Sequence, residues 1–179
     1  MRLRVGRCTA LSAFFVCASV GPSSAQTSGG PVAGQPPIRA GKVVVMAMED
    51  CKERGGDVAT GSGLLTQSTL RDALVTRGFT PLSSDSRSLL DAVKEGGALS
   101  YDYVLRGKLT ECEDNATAWS GKKDSVAVSV ELYDLTPTLV SAASHRQRGS
   151  SFALTDSTPD RLLATAVANA LTRLVGTRR

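Results

Sequence analysis

KVVVMAM, residues 42–48, is a continuous apolar run that is β-branched at its start. A strand with one wet face would alternate apolar and polar residues, so an unbroken run fits a strand covered on both faces. We read it as the central strand of a parallel sheet and place the rest of the chain outward from it.

The segment after it, residues 49–62, is polar and holds Gly55, Gly56 and Gly61, with Gly63 just beyond. A glycine-rich turn between strand and helix can cradle a phosphate on bare amides. GDVATGSG, residues 56–63, lacks both the Lys-Ser/Thr ending of a P-loop and the third glycine of a dinucleotide fingerprint. It is read as a loop closed by a helix cap at Ser62. Residues 64–77 then form an amphipathic helix, with Leu70, Ala73 and Leu74 at helical spacing and Gly78 as its stop. A short strand follows at 79–82. Ser86 or Ser88 caps a second helix with Leu89, Leu90 and Val93 directed inward and Gly96-Gly97 ending it, and a third strand, YVLRGKLT, spans 103–110.

Strand, helix, strand, helix, strand forces parallel pairing with right-handed crossovers, which puts the first strand between the second and the third. Cys51 then follows the end of the first strand and Cys112 the end of the third. Thiols at matching ends of neighbouring strands can reach disulfide geometry, and the bond would close a loop of about 60 residues. No histidine or third cysteine accompanies them, so a metal site is not expected.

ECEDNATAWSGKKD, residues 111–124, holds the only tryptophan, Trp119, and crowds acids against Lys122 and Lys123. Beyond it, 125–133 alternates cleanly, with Val126, Val128, Val130 and Leu132 on one face. A turn at 134–138 and a return strand at 139–148 complete a hairpin. The last helix has Thr158 as cap, Pro159 in the first turn and a stripe of Leu163, Val167, Ala170, Leu171 and Leu174, with Gly176 ending it. The expected fold is one α/β domain over residues 42–176, in the order β-α-β-α-β-β-β-α, with parallel core strands, a C-terminal antiparallel hairpin and a final helix.

The two ends are read by composition. Arg2, Arg4 and Arg7 precede a small and apolar run at 8–20, and Ser23-Ser24-Ala25 offers a cleavage site, so residues 1–25 read as a signal peptide. Residues 26–41, QTSGGPVAGQPPIRAG, are too rich in Gly and Pro to build a core and read as a disordered linker. The expected compartment is the periplasm, where an even pair of mature cysteines oxidises. Removing the leader takes three of the 21 Lys and Arg and none of the 17 acids, leaving 18 − 17 = +1. That balance gives no basic face for nucleic acid. Cys17 follows Phe14-Phe15-Val16, a poor lipidation box, so membrane anchoring through Cys17 is not the expectation.

Glu113-Asp114, Ala116-Thr117, Trp119-Ser120-Gly121-Lys122 and Asp124, followed by a strand ending in Tyr133-Asp134, resemble the signature of a bacterial family of unknown function often labelled putative lipoproteins. In fold that family is similar to the TolB amino-terminal region, the curli-secretion lipoprotein and the penicillin-binding-protein activator LpoB. The resemblance implies a cell-envelope protein that works by contact with another envelope protein, and it brings no catalytic residue to carry over.

The candidate interaction or ligand loop is therefore Glu111, Glu113, Asp114, Trp119, Lys122 and Asp124. Two further readings use the same acids. Glu111, Glu113 and Asp114 beyond the end of a strand could hold a small ligand or a cation, or could serve as acid and base in a hydrolase. Against catalysis, no nucleophile accompanies them, and no strained G-x-S-x-G turn exists to partner His145, which reads as a surface residue of the hairpin. No cofactor or catalytic residue is expected.

Overall fold

The computed structural model describes residues 26–32, 38–53, 55–113, 124–149 and 159–176. Eight strands and three helices follow in the order β1 (Gln26–Pro31), β2 (Lys42–Val45), β3 (Cys51–Lys52), β4 (Val58–Ala59), α1 (Ser62–Val75), β5 (Thr80–Ser83), α2 (Leu89–Ala98), β6 (Tyr103–Glu113), β7 (Ser125–Asp134), β8 (Leu139–Arg148) and α3 (Pro159–Val175). Six strands form one sheet in the order β1-β8-β7-β6-β2-β5, and β3 and β4 make a separate hairpin.

β2 organises this sheet. Val43, Val44 and Val45 are each fully buried, and β2 pairs in parallel with β5 on one side and β6 on the other. Alternation sends Val43 and Val45 into a core with Leu70 and Leu74 of α1 and the stripe of α3, while Val44 joins Met46, Val104, Ala92 of α2 and Tyr133. The two crossover helices thus lie on opposite faces. From β6 onward the strands run antiparallel, and Val126, Val128, Val130 and Leu132 of β7 all face the α1–α3 side.

Several local expectations are corrected. The segment at 26–41, expected as a linker, begins with β1, which pairs antiparallel with β8 along its whole length. Its backbone amides and carbonyls join the ladder although it has few side chains to bury. Leu90 is 61% exposed, and the inward positions of α2 are Ala92 and Gly96. The glycine pair does not stop α2, which runs on to Ala98; a Cβ on Gly96 would lie 3.1 Å from Leu135, so glycine there permits close seating on the sheet. β6 continues past 110 to Glu113 with a bulge between Leu109 and Glu111, so Cys112, Glu111 and Glu113 lie inside a strand rather than beyond it. The 49–62 segment contains the β3–β4 hairpin.

Cys51 and Cys112 form a disulfide, with Cα atoms 6.2 Å apart and a sequence separation of 61. Both are buried in the larger core. Restraining the unfolded chain by a loop of this length stabilises by about 4 kcal/mol in the loop-entropy account. We expect the Cys51→Ala, Cys112→Ala double variant to lose up to about 4 kcal/mol of unfolding free energy in urea melts; a midpoint equal to that of the wild type under oxidising conditions would show that the bond restrains nothing.

Candidate functional site

The connections that leave the carboxyl ends of the neighbouring strands β2 and β5 run to opposite faces of the sheet, α1 to one and α2 to the other, and so diverge there. Open α/β sheets leave a crevice at such a point. Here a cleft of about 410 Å³ occupies it, with a floor from Met46 to Met48 and walls that include Arg87, Arg106, Lys108, Ser129 and Glu131. Gln67, a buried residue of α1, braces the end of the crevice by donating to the carbonyls of Val45 (3.0 Å) and Ser84 (2.9 Å).

One wall is a cross-strand network. Arg106 Nε donates to Glu131 Oε2 at 2.7 Å, and Arg106 Nη2 donates to the Tyr133 hydroxyl at 3.1 Å. That hydroxyl donates in turn to Glu131 Oε2 at 2.8 Å, and the guanidinium lies 5.5 Å from the Tyr133 ring centre. Glu131 holds the Arg106 guanidinium further into its charged form, while burial, then Glu131, push the Tyr133 phenol up. Charge in this wall is satisfied internally.

The acids singled out in the sequence lie elsewhere. β2 ends opposite Leu105, and Glu111 stands six residues farther along β6, about 20 Å at strand rise. Glu111 and Glu113 share one face of β6 two residues apart. Glu111 Oε1 accepts from both Ser125 Oγ and Arg146 Nη2. Burial pushes its carboxyl up, but the hydrogen bonds from Ser125 and Arg146 and the charges of Arg146 and Arg148 outweigh that, leaving it below the usual range. A carboxylate so held is a poor base. Asp124 flanks β7, and its carbonyl accepts from Gly149 N at 2.8 Å. Asp114, Trp119 and Lys122, like the helix cap Thr158, lie outside the described residues. Among the described residues no group of three or more His, Cys, Asp or Glu could hold a metal.

The glycine-rich turn also differs from expectation. Ser62 is the first residue of α1 rather than its cap, and Gly61 precedes it in the left-handed region, φ 85°. The cap comes from upstream: Asp50 accepts from Gly61 N at 3.0 Å and Gly63 N at 2.8 Å. Those are the amides that would greet a phosphate, and they are taken. Ser62 Oγ instead accepts from Cys51 N at 2.9 Å, tying the cap to the disulfide. The amides of Gly63 and Gly61 hold the Asp50 carboxyl below its ordinary value.

His145 is a correction as well: it is only 3% exposed, on the α3 side of β8. Its Nε2 lies 3.2 Å from Asn169 Nδ2 of α3 and 3.3 Å from Gln147 Oε1. Sequence reasoning missed Arg106, Lys108, Arg87 and Asp50 entirely. The signal for the first two was present, since they interrupt the apolar pattern of the third strand two residues apart and so had to share a face.

Residues 37–174 match a family described as a domain of unknown function, DUF4823. No curated protein matches the sequence. Among solved structures, the PelC dodecamer from Paraburkholderia phytofirmans is similar at 18% identity and TM-score 0.68, covering 87% of this chain and 100% of that one. The dodecamer of a point variant of the same PelC is similar at 18% identity and TM-score 0.66, over 86% of this chain and 100% of that one. A DUF330 protein of Xanthomonas campestris gives 12% identity and TM-score 0.49 over 82% of this chain and 88% of that one. The two PelC likenesses establish a shared fold.

The depressed carboxyls set the acid limb of stability. For Asp50 and Glu111 the folded value lies below the unfolded one, so their contributions are complete above the unfolded values, about 3.9 and 4.3, and are lost as pH falls through the folded ones. We expect the melting temperature to fall as pH drops below about 4, and Asp50→Asn to lower it at neutral pH while making that acid decline shallower. Glu111→Gln should cost about 1–3 kcal/mol at neutral pH by leaving Arg146 without its counter-charge. Acid declines as steep in both variants as in the wild type would refute the assignment.

Proposed function

The chain belongs to the DUF4823 family, and we propose that it is an exported cell-envelope protein that works by protein–protein contact, without catalysis, and whose first partner is a further copy of itself. The half-covered sheet carries this reading. α1 and α3 cover one face, whereas α2 covers only the part of the other around Val44, Val104 and Tyr133. The remainder, which includes Ala127, Ser129, Ala142 and Ser144, meets no helix among the described residues.

The chemistry of that face suits a contact. Four of its long charged side chains are joined in the cross-strand pairs Arg106–Glu131 and Glu111–Arg146, so another surface can displace water there without stranding either charge of a pair. Between the pairs lie small residues that let a partner approach closely. The likeness to the chain of the PelC dodecamer supports a copy of the same chain as occupant. The sequence resemblance to envelope lipoproteins and to the TolB, curli-secretion and LpoB domains supports the location. Glu111, engaged by Ser125 and Arg146, supports a structural use of the acids over a hydrolytic one.

The reading is tested by native mass spectrometry of the chain from Gln26 onward. We expect a defined multiple of the single-chain mass, reduced to the monomer by Ala142→Arg. Ala142 lies opposite Glu131 in register, so the new cation has a neighbour of opposite sign and the fold should melt unchanged. A wild type that is monomeric throughout the micromolar range, or an Ala142→Arg variant that assembles like it, would refute the proposal.

A further inference from the structure

We infer that the cleft beyond the carboxyl end of β2, walled by the middle of β6, is a binding site for a small organic anion bearing a carboxylate or a phosphate monoester. This goes beyond the contact reading and does not depend on it. Three observations converge. Strand order alone places a ligand crevice at this point, because the β2–β5 and β5–β6 connections leave on opposite faces of the sheet. The structure has a cavity there of about 410 Å³, within the range of small-molecule sites, roughly 300–1,000 Å³. The walls then supply the sign of the ligand.

Arg87, Arg106 and Lys108 line the cleft against Glu49 and Glu131. Arg106 and Glu131 satisfy each other, which leaves Arg87 and Lys108 facing Glu49 at the rim. Neither cation makes an ion pair among the described residues. Asp50 is the acid whose charge feels Arg87, but its two oxygens hold the Gly61 and Gly63 amides and cannot turn to the cleft without uncapping α1. An anion would find two cations from separate elements, Arg87 before α2 and Lys108 on β6, with Ser129, opposite Lys108 in register, supplying a hydroxyl. A cation would find Glu131 already holding Arg106 and the Tyr133 hydroxyl. The floor is fixed in advance by Gln67, whose amide pins the ends of β2 and β5 together, so little ordering is required on binding.

The test uses the whole exported chain and three probes at constant ionic strength: glycerol 3-phosphate, succinate and uncharged glycerol. Amide chemical shifts are followed by NMR. We expect saturable shifts centred on Ala47, Gly107 and Lys108 with at least one anion and none with glycerol. The Arg87→Gln, Lys108→Gln double variant should bind at least about tenfold more weakly, since each lost charge-assisted hydrogen bond is of that order. Lys108→Arg, which keeps the charge, should retain binding and controls for loss of fold. The inference is overturned if neither anion produces saturable shifts by about 10 mM, a standard free energy near 3 kcal/mol. It is equally overturned if glycerol matches the anions, if the double variant binds as the wild type does, or if the shifts centre on Gly61 and Gly63. Assembly state measured on the same samples reports separately on the contact reading.

Discussion

Three consecutive valines that are each shielded on both sides impose most of this architecture. Val43, Val44 and Val45 have no exposed surface, and alternation along a strand means that both faces of β2 must be roofed. A hairpin cannot do that, because it adds only lateral neighbours. Crossover helices can, and one is needed per face. α1 and α2 therefore leave β2 and β5 on opposite sides, which opens a crevice at the carboxyl end of β2 as a by-product of keeping the valines dry.

Where burial decides structure, the sequence is readable. The unbroken run at 42–48 and the strict alternation at 125–133 state how many faces of each strand are covered, and the α3 stripe does the same for a helix. The cysteine pair follows from strand order. What escapes is set by backbone groups or by the approach of distant elements. β1 carries no apolar pattern and exists because its backbone completes the ladder of β8. Asp50 caps α1 from well upstream, across the β3–β4 hairpin, a pairing with no local signature. His145 reads as a surface residue because it sits beside Arg146, yet alternation assigns the two to opposite faces, and α3 covers the histidine. Leu90 reads as inward because it is leucine, while Gly96 takes the inward position because α2 lies too close to Leu135 for a larger residue. Of the acidic and tryptophan-bearing stretch, only its ends, 111–113 and 124, are described, and Glu111 there is bound into an ion pair.

The polar face shows how charge is managed on the part of a sheet that α2 leaves uncovered. Arg106 and Glu131 are direct cross-strand neighbours, and Glu111 reaches across β7 to Arg146 on β8. Such pairs contribute little while they stay wet. Their value lies in what they permit, since a carboxylate and a guanidinium already joined can lose water together at far lower cost than either alone. Glu111 as a lone acid would argue for chemistry; Glu111 with Ser125 and Arg146 as donors argues for a surface prepared to be covered.

The same logic separates that surface from the cleft beside it. Arg106 with Glu131 and Glu111 with Arg146 are closed into pairs, whereas at the cleft Arg87 and Lys108 make no ion pair among the described residues. The difference follows from register. Arg106 has Glu131 directly opposite, but Lys108 has Ser129, whose hydroxyl cannot neutralise it, and Arg87 comes from a connection that has no cross-strand neighbour. Asp50, whose charge feels Arg87, is held by the start of α1. The placement of Arg87 and Lys108 at the crevice beyond the end of β2 sets the cleft at the margin of the contact face, with which it shares Arg106, Ser129 and Glu131.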